Sequence, residues 1–200
     1  MNLANWTRFY KYNNLDRVDQ NAVYTPYISP DKDVYCMDFS NASTLFFNNE
    51  ATWLEHVQNE PYAPELLDID KQNKYITFKW YDTSVNHLIF NHKFTQQSQA
   101  QDTLHLLEKQ NILKLNFVPH TCYIDNENNL RVHDFYACAS ANAPLIEMEK
   151  IAGVMSGITK YYYEQHSVDG MVSLKNVYID AIQQNRGGWP ECLSTTFLTY

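Results

Sequence analysis

The chain has 200 residues, of which 44% are hydrophobic and 14% aromatic, enough for one compact domain around its own core. Its formal charge is −8, with only 15 Lys and Arg residues and no basic run, which argues against nucleic acid or an anionic membrane as a partner. The start of the chain is polar and no apolar run reaches the length of a membrane span, so we expect a cytoplasmic protein.

The first eighty residues have the pattern of an antiparallel sheet that carries one helix. The alternating segments that we predict as strands are 23–28, 34–39, 65–69 and 74–81. Between the second and the third of these, the apolar period becomes helical from Thr44 to Gln58. In the last strand, Ile76, Phe78 and Trp80 share one face.

The remainder of the chain is mainly helical. Three helices are predicted there from apolar stripes that begin at Ala100, Ile151 and Leu174. A hairpin interrupts them at 119–139, with the sequence PHTCYIDNENNLRVHDFYACA. The expected fold class is therefore α+β, with a sheet-plus-helix part at 1–83 and a reduced helical part at 84–200.

Asp134 ends the second strand of this hairpin and is the most informative carboxylate of the chain. Alternation places Leu130, Val132 and Asp134 on one face, so the charge follows two apolar neighbours toward a packed surface. A buried carboxylate needs a hydrogen-bonding partner or a metal ion. The alternative is that Asp134 only caps the strand end.

Glu50 is the second unusual carboxylate, because it is centred on the apolar face of the helix predicted from Thr44. At 100° per residue, Phe47, Trp53 and Leu54 all lie within about 60° of it. An ordinary amphipathic helix whose glutamate extends to solvent is the alternative.

These two segments resemble parts of the protein-kinase-like phosphotransferases, including their small-molecule branch, the aminoglycoside and choline kinases. The hairpin around Asp134 is similar to the catalytic-loop and DFG hairpin, whose aspartate holds magnesium on the nucleotide phosphates. FFNNEATWLEHV resembles the helix whose inward glutamate pairs with a strand lysine, so Glu50 takes the position of that glutamate. The resemblance implies a two-lobed kinase-like fold.

The chain departs from the family pattern on the strand that should carry the lysine. In the resemblance, Cys36 and Asp38 occupy the Ala and Lys positions of the A-x-K signature. Asp38 would then face Glu50 and a polyanionic nucleotide, which repels ATP. A cation from Arg8, Lys11 or Arg17, or a metal ion bridging the carboxylates, could compensate.

The segments that correspond to the catalytic loop and the phosphate-binding loop also lack residues of the family pattern. Lys114-Leu115-Asn116 stands where HRD is expected, and the neutral amide of Asn116 cannot act as the catalytic base. Thr121 occupies the position of the second metal-binding residue, and Tyr136 replaces the glycine of DFG. All five glycines follow residue 152, which excludes a glycine-rich loop in the first part of the chain.

The resemblance implies candidate residues for nucleotide and metal binding, and it assigns no catalytic residue. Cys36 and Glu50 are candidates for nucleotide binding, and Asp134 and Thr121 for a metal ion. The four cysteines are scattered without a C-x-x-C, which favours reduced, separately packed thiols. A metal site made from His120, Cys122, His133 and Cys138 is disfavoured because alternation separates them.

Three functions remain open. The replaced residues favour a catalytically impaired protein that resembles pseudokinases and binds or regulates an unknown protein partner. The first alternative is a divergent phosphotransferase, for which Mg²⁺ and ATP would be the cofactors. The second is an unrelated α+β interaction protein. Compact size and abundant asparagine suggest a phage- or virus-encoded chain acting in the host cytoplasm.

Overall fold

The computed structural model describes residues 3–8, 23–114, 117 and 119–140. Within these residues the ten strands are Thr7–Arg8 (β1), Thr25–Ile28 (β2), Val34–Asp38 (β3), Leu66–Asp70 (β4), Tyr75–Lys79 (β5), Thr83–Ser84 (β6), Ile112–Lys114 (β7), Cys122–Ile124 (β8), Leu130–Val132 (β9) and Cys138–Ser140 (β10). The three α-helices of the same residues are Thr44–Val57 (α1), Val85–Phe90 (α2) and Gln97–Lys109 (α3). The α+β class is therefore confirmed, and the helices predicted from Ile151 and Leu174 lie outside the described residues.

The first half forms an antiparallel sheet with the strand order β1-β2-β3-β5-β4. Strands β4 and β5 are the predicted hairpin, and Ile76 and Phe78 of β5 are fully buried as expected. Trp80 follows β5 and stacks on Tyr35, with 5.7 Å between ring centroids. One face of this sheet thus supplies the wall of the core.

Helix α1 matches the helix predicted from Thr44 to Gln58 except at its last residue. The Ser43 hydroxyl accepts a hydrogen bond from the Leu45 N–H at 3.3 Å and caps the first turn. One helical face is buried and consists of Phe47, Glu50, Ala51, Leu54 and Val57. Glu50 is completely inaccessible to solvent, so its predicted position on the apolar face is confirmed.

The hairpin around Asp134 is also present. Strands β8 and β9 pair antiparallel, and Leu130 and Val132 are buried as alternation predicts. The turn between them is organised by Asp125, whose carboxylate accepts hydrogen bonds from the N–H groups of Glu127 and Asn129. Strand β6 extends this hairpin to three strands.

Three hydrogen bonds tie this hairpin to the loop that follows α1. The Arg131 guanidinium donates to the carbonyl oxygens of Pro61 and Ala63, both at 3.0 Å, and the Val132 N–H donates to the Tyr62 carbonyl at 2.8 Å. Arg131 also pairs with Asp125 at 2.7 Å. The end of β9, and with it Asp134, is therefore fixed relative to helix α1.

Candidate functional site

Asp134 lies two residues after the end of β9 in a left-handed backbone conformation, with φ 65° and ψ 56°. This region disfavours side chains with a Cβ, although Asp and Asn tolerate it better than most residues. The side chain is 3% exposed. A carboxylate is thus held at the start of the 3₁₀ turn Phe135–Ala137 in a conformation that has to be compensated by its contacts.

Two tyrosines supply one of these contacts. The Tyr24 hydroxyl donates to Asp134 Oδ1 at 2.7 Å, and the Tyr35 hydroxyl donates to the Tyr24 oxygen at 3.1 Å. Burial, followed by the charge of Asp134, raises the pKa of Tyr24 well above its ordinary value. Tyr24 therefore keeps its proton and acts as a hydrogen-bond donor to the carboxylate.

Glu50 of α1 approaches the same turn from the other side. Its Oε2 accepts a hydrogen bond from the Tyr136 N–H, while Oε1 has no hydrogen-bond partner among the described residues. Burial first, and then the charge of Asp134, raise the pKa of Glu50 to about 8, against the opposing effects of Lys114 and of the Phe135 and Tyr136 N–H groups. The Glu50 carboxyl is consequently mostly protonated at neutral pH.

Lys114, the last residue of β7, is the cation of this cluster. Only 1% of it is exposed, and its Nζ donates to the Asp134 carbonyl at 3.0 Å and lies 5.2 Å from the Phe135 ring centroid. Burial lowers the pKa of Lys114, and the nearby Cys138, Asp134, Cys122 and Glu50 oppose that shift. This role of Lys114 is not predicted by a local motif, although a lone lysine in an otherwise apolar stretch indicates a buried ion partner.

Two neighbours of Glu50 on α1 bind the backbone of the same turn. Asn49 Nδ2 donates to the carbonyl oxygens of Tyr136 at 2.7 Å and Cys138 at 2.9 Å, and Trp53 Nε1 donates to the Cys138 carbonyl at 3.2 Å. We call Asn49, Glu50 and Trp53 the α1 contact face. Because this face satisfies backbone groups from Tyr136 to Cys138, the helix fixes the turn that carries Asp134.

Asp38 does not face Glu50, which corrects the expectation drawn from the kinase resemblance. Tyr35 and Met37 of β3 point into the core, whereas Cys36 and Asp38 lie on the opposite face of the sheet, which their partners Thr77 and Tyr75 share. Asp38 Oδ1 accepts a hydrogen bond from the Ser40 N–H at 2.8 Å.

Cys36 is buried on that opposite face. Burial, followed by the charge of Asp38, raises the pKa of the Cys36 thiol to about 12. The structure therefore brings together Glu50 and Asp134 of the predicted residues and separates Cys36 and Asp38 from them.

Thr121 is buried beside His133, at the open end of the hairpin where Asp134 also lies. Its carbonyl accepts a hydrogen bond from the His133 N–H at 2.8 Å, and its hydroxyl lies 4.0 Å from Cys122 Sγ. Asn116, like Lys11 and Arg17, lies outside the described residues, and Arg8 is exposed in β1. Thr121 is thus joined through the backbone to the residue that precedes Asp134.

Cys122, His133 and Cys138, three of the four residues considered above as a metal site, are buried. His133 is enclosed by the rings of Tyr35, Phe78, Tyr81 and Tyr123, with centroid distances of 5.0 to 5.9 Å. Cys36, Cys122 and Cys138 are buried and form no disulfide among the described residues, and Cys192 lies outside them. In the described part of the chain, no group of three or more His, Cys, Asp or Glu side chains is placed to hold a metal ion.

No protein-family model matches the sequence, and a search of curated proteins finds no match. Among the described residues, no helix combines the length and the apolar character required to cross a membrane.

Proposed function

We propose that this chain is a kinase-like protein that no longer transfers phosphate and acts as a binding or regulatory module for a protein partner. One observation carries the proposal. Asp134, the residue that the resemblance assigns to magnesium, accepts a hydrogen bond from the chain's own Tyr24 at 2.7 Å. A protonated phenol in that position competes with a metal ion for the carboxylate oxygen.

The kinase-like part of the proposal is supported by the order of the elements and by one long-range contact. A five-stranded antiparallel sheet with a helix between its third and fourth strands precedes helices and a hairpin. Glu50 of that helix accepts a hydrogen bond from the N–H of Tyr136, 86 positions later and two residues after Asp134. The resemblance implies this neighbourhood and the sequence pattern alone does not require it.

The loss of transfer is supported by the charges around Glu50. Strand β3 contains no lysine or arginine, and its core-facing residues Tyr35 and Met37 cannot hold a phosphate by charge. Lys114 donates to a backbone carbonyl in a buried position instead. The observed arrangement therefore does not fit a magnesium ion and nucleotide phosphates at Asp134, and we derive no catalytic step through them.

The test is a thermal-shift titration with ATP and Mg²⁺ on the wild type, on Asp134→Ala and on Asp68→Ala, which removes an exposed carboxylate of β4. We expect no ligand-dependent shift in any of the three proteins. A parallel assay follows phosphate transfer from radiolabelled ATP to the protein, to a generic protein substrate and to water. Transfer by the wild type that disappears in Asp134→Ala but not in Asp68→Ala would refute the proposal.

A second candidate is a divergent Mg²⁺-dependent phosphotransferase, and the position of Lys114 favours it. A lysine close to both Glu50 and Asp134 could replace the strand lysine of the family from a different element. This candidate predicts a Mg²⁺-dependent thermal shift with ATP that is lost in Asp134→Ala. The same titration therefore separates the two functions.

A further inference from the structure

We propose that the groove between helix α1 and the turn that joins β4 to β5 binds an acidic segment of a protein partner, whose carboxylate pairs with Lys74. This inference rests on the proposed function, because it names the surface and the class of partner that a binding module requires. Among the described residues that line this α1 groove, none belongs to the α1 contact face.

The α1 groove is an open, elongated cavity of about 320 Å³. One wall is an exposed polar stripe of α1, whose members recur every three or four residues: Thr44, Asn48, Thr52 and Glu55. The buried Phe47 and Ala51 form the floor, and Lys71 and Lys74 form the other wall.

The dimensions of the groove fit a peptide segment. The stripe from Thr44 to Glu55 is about 16 Å long at 1.5 Å per residue. About five residues of an extended chain span that length. An open groove of this length is therefore better suited to an extended segment than to a compact small molecule.

Lys74 carries the uncompensated charge of the α1 groove. It is half-buried, and among the described residues its ammonium has no hydrogen bond or ion pair. Lys71, in contrast, pairs with Glu55 at 3.3 Å, so these two charges offset each other. The lining side chains thus leave one positive charge, and a partly desolvated ammonium is stabilised by an anionic partner.

The backbone places Lys74 near the N-terminal end of α1. Its carbonyl accepts a hydrogen bond from the Phe39 N–H at 3.0 Å, and the loop that starts at Phe39 leads to Ser43, the N-cap of α1. The first turn of α1 contains no acidic residue, so the positive end of the helix dipole is not compensated by it. A carboxylate at this end of the groove would meet both the Lys74 ammonium and the helix N-terminus.

The charges also distinguish a protein segment from other acidic occupants. Nucleic acid and anionic membranes are bound by several cations on one face, whereas this groove provides one uncompensated lysine. A second copy of the chain would supply carboxylates, but its formal charge of −8 repels it as a whole. One or two acidic side chains on a short segment match the groove.

The test uses fluorescence polarisation with two labelled heptapeptides, one of alternating glutamate and leucine and one with glutamine in place of glutamate. Lys74→Asn removes the ammonium, and asparagine tolerates the left-handed backbone of this position, where φ is 57°. Lys32→Asn is the matched control, because Lys32 is an exposed lysine with φ 60° in the turn between β2 and β3.

We expect the wild type to bind the glutamate peptide at least ~5-fold more tightly than the glutamine peptide, since an ion pair and a helix N-terminus both favour the carboxylate. Lys74→Asn should reduce this preference to less than about twofold, and Lys32→Asn should retain it. If Lys74→Asn does not fold, Thr44→Glu decides. It adds a carboxylate at the same end of the groove, is favourable in a first helical turn, and should also remove the preference.

Several results would overturn the inference. These are the absence of glutamate-peptide binding below a Kd of about 1 mM in the wild type, and an equal loss of preference in Lys74→Asn and Lys32→Asn. Dimerisation of the wild type in sedimentation experiments that Lys74→Asn abolishes would assign the groove to a second copy of the chain instead.

The two proposals fail separately. Phosphate transfer by the wild type refutes the proposed loss of activity whatever the peptide result. Equal binding of both peptides by the wild type refutes only the assignment of the α1 groove.

Discussion

Replacing Glu50 by glutamine should remove a large part of the pH dependence of stability. Glu50 is fully buried, and its pKa rises from 4.5 to about 8 in the folded chain. In the unfolded chain the Glu50 carboxyl is solvated, so its pKa has the ordinary value. Because the folded pKa is raised, the contribution of Glu50 to stability is complete below pH 4.5, decreases as the pH rises toward 8, and is constant at a lower level above that.

The expected size follows from these two values. At about 1.36 kcal/mol per pH unit, the free energy of unfolding should fall by about 2 kcal/mol between pH 6 and pH 8 through Glu50 alone. The amide side chain of the Glu50→Gln variant would be neutral throughout and could still accept the hydrogen bond from the Tyr136 N–H. The difference between the two pH profiles therefore measures the Glu50 carboxyl together with its interactions with Asp134 and Lys114.

The assay is urea unfolding followed by far-ultraviolet circular dichroism at half-unit steps from pH 5.5 to 8.5. Glu55→Gln is the matched control, because Glu55 lies on the exposed side of α1 and pairs with Lys71 at 3.3 Å. The wild type and Glu55→Gln should lose stability in parallel over this range, and between pH 6 and pH 8 Glu50→Gln should lose about 2 kcal/mol less than either. Parallel profiles for all three proteins would refute the argument that Glu50 is folded in its protonated form.

Two further predictions concern helix α1. Asn49→Ala removes two hydrogen bonds to the turn after Asp134 and should lower the free energy of unfolding by about 1–3 kcal/mol, whereas Asn48→Ala on the exposed side should change it by less than about 0.5 kcal/mol. Leu54→Ala creates a cavity in the core and should cost about 2–5 kcal/mol, compared with less than about 1 kcal/mol for the half-exposed Leu45→Ala. Urea unfolding at pH 6 measures both, and equal effects for either pair would contradict the burial of that face.

Strongly periodic segments were predictable from the sequence, including one half of the site. Helix α1 and the hairpin that ends at Asp134 follow from their periods, and the position of Glu50 on the apolar face follows from the angle per residue. These are local properties of the chain. They were sufficient to identify the two carboxyl groups that the fold then brings together.

The face of β3 was not predictable because both faces of that strand are covered. Tyr35 and Met37 are buried on one side and Cys36 is equally buried on the other, so alternation provides two apolar sets and no means of choosing between them. The sequence comparison placed Asp38 on the core side, and the register with β5 places it on the opposite side. A period of two indicates which residues share a face and not which face is packed against the helix.

The partners of Asp134 were missed for a different reason, namely sequence separation. Tyr24 lies 110 positions before Asp134, and Lys114 lies 20 positions before it. Neither residue belongs to a recognisable local motif. Strands β7 and β10, which place Lys114 opposite Cys138, are only three residues long and have too few positions to display a period. Their pairing depends on contacts that form only in the folded chain.

Arg131 has a consequence for how the molecule opens. Its guanidinium holds two carbonyl oxygens of the loop after α1, and the Val132 N–H holds a third, so the helix end and the hairpin cannot separate without breaking all of these bonds. Amide hydrogens of the inner turns of α1 and of β9 should therefore exchange with solvent through one common opening event, with similar protection factors. The helix and the hairpin would then be a single cooperative folding unit, although strands β4 to β7 and helices α2 and α3 separate them in the sequence.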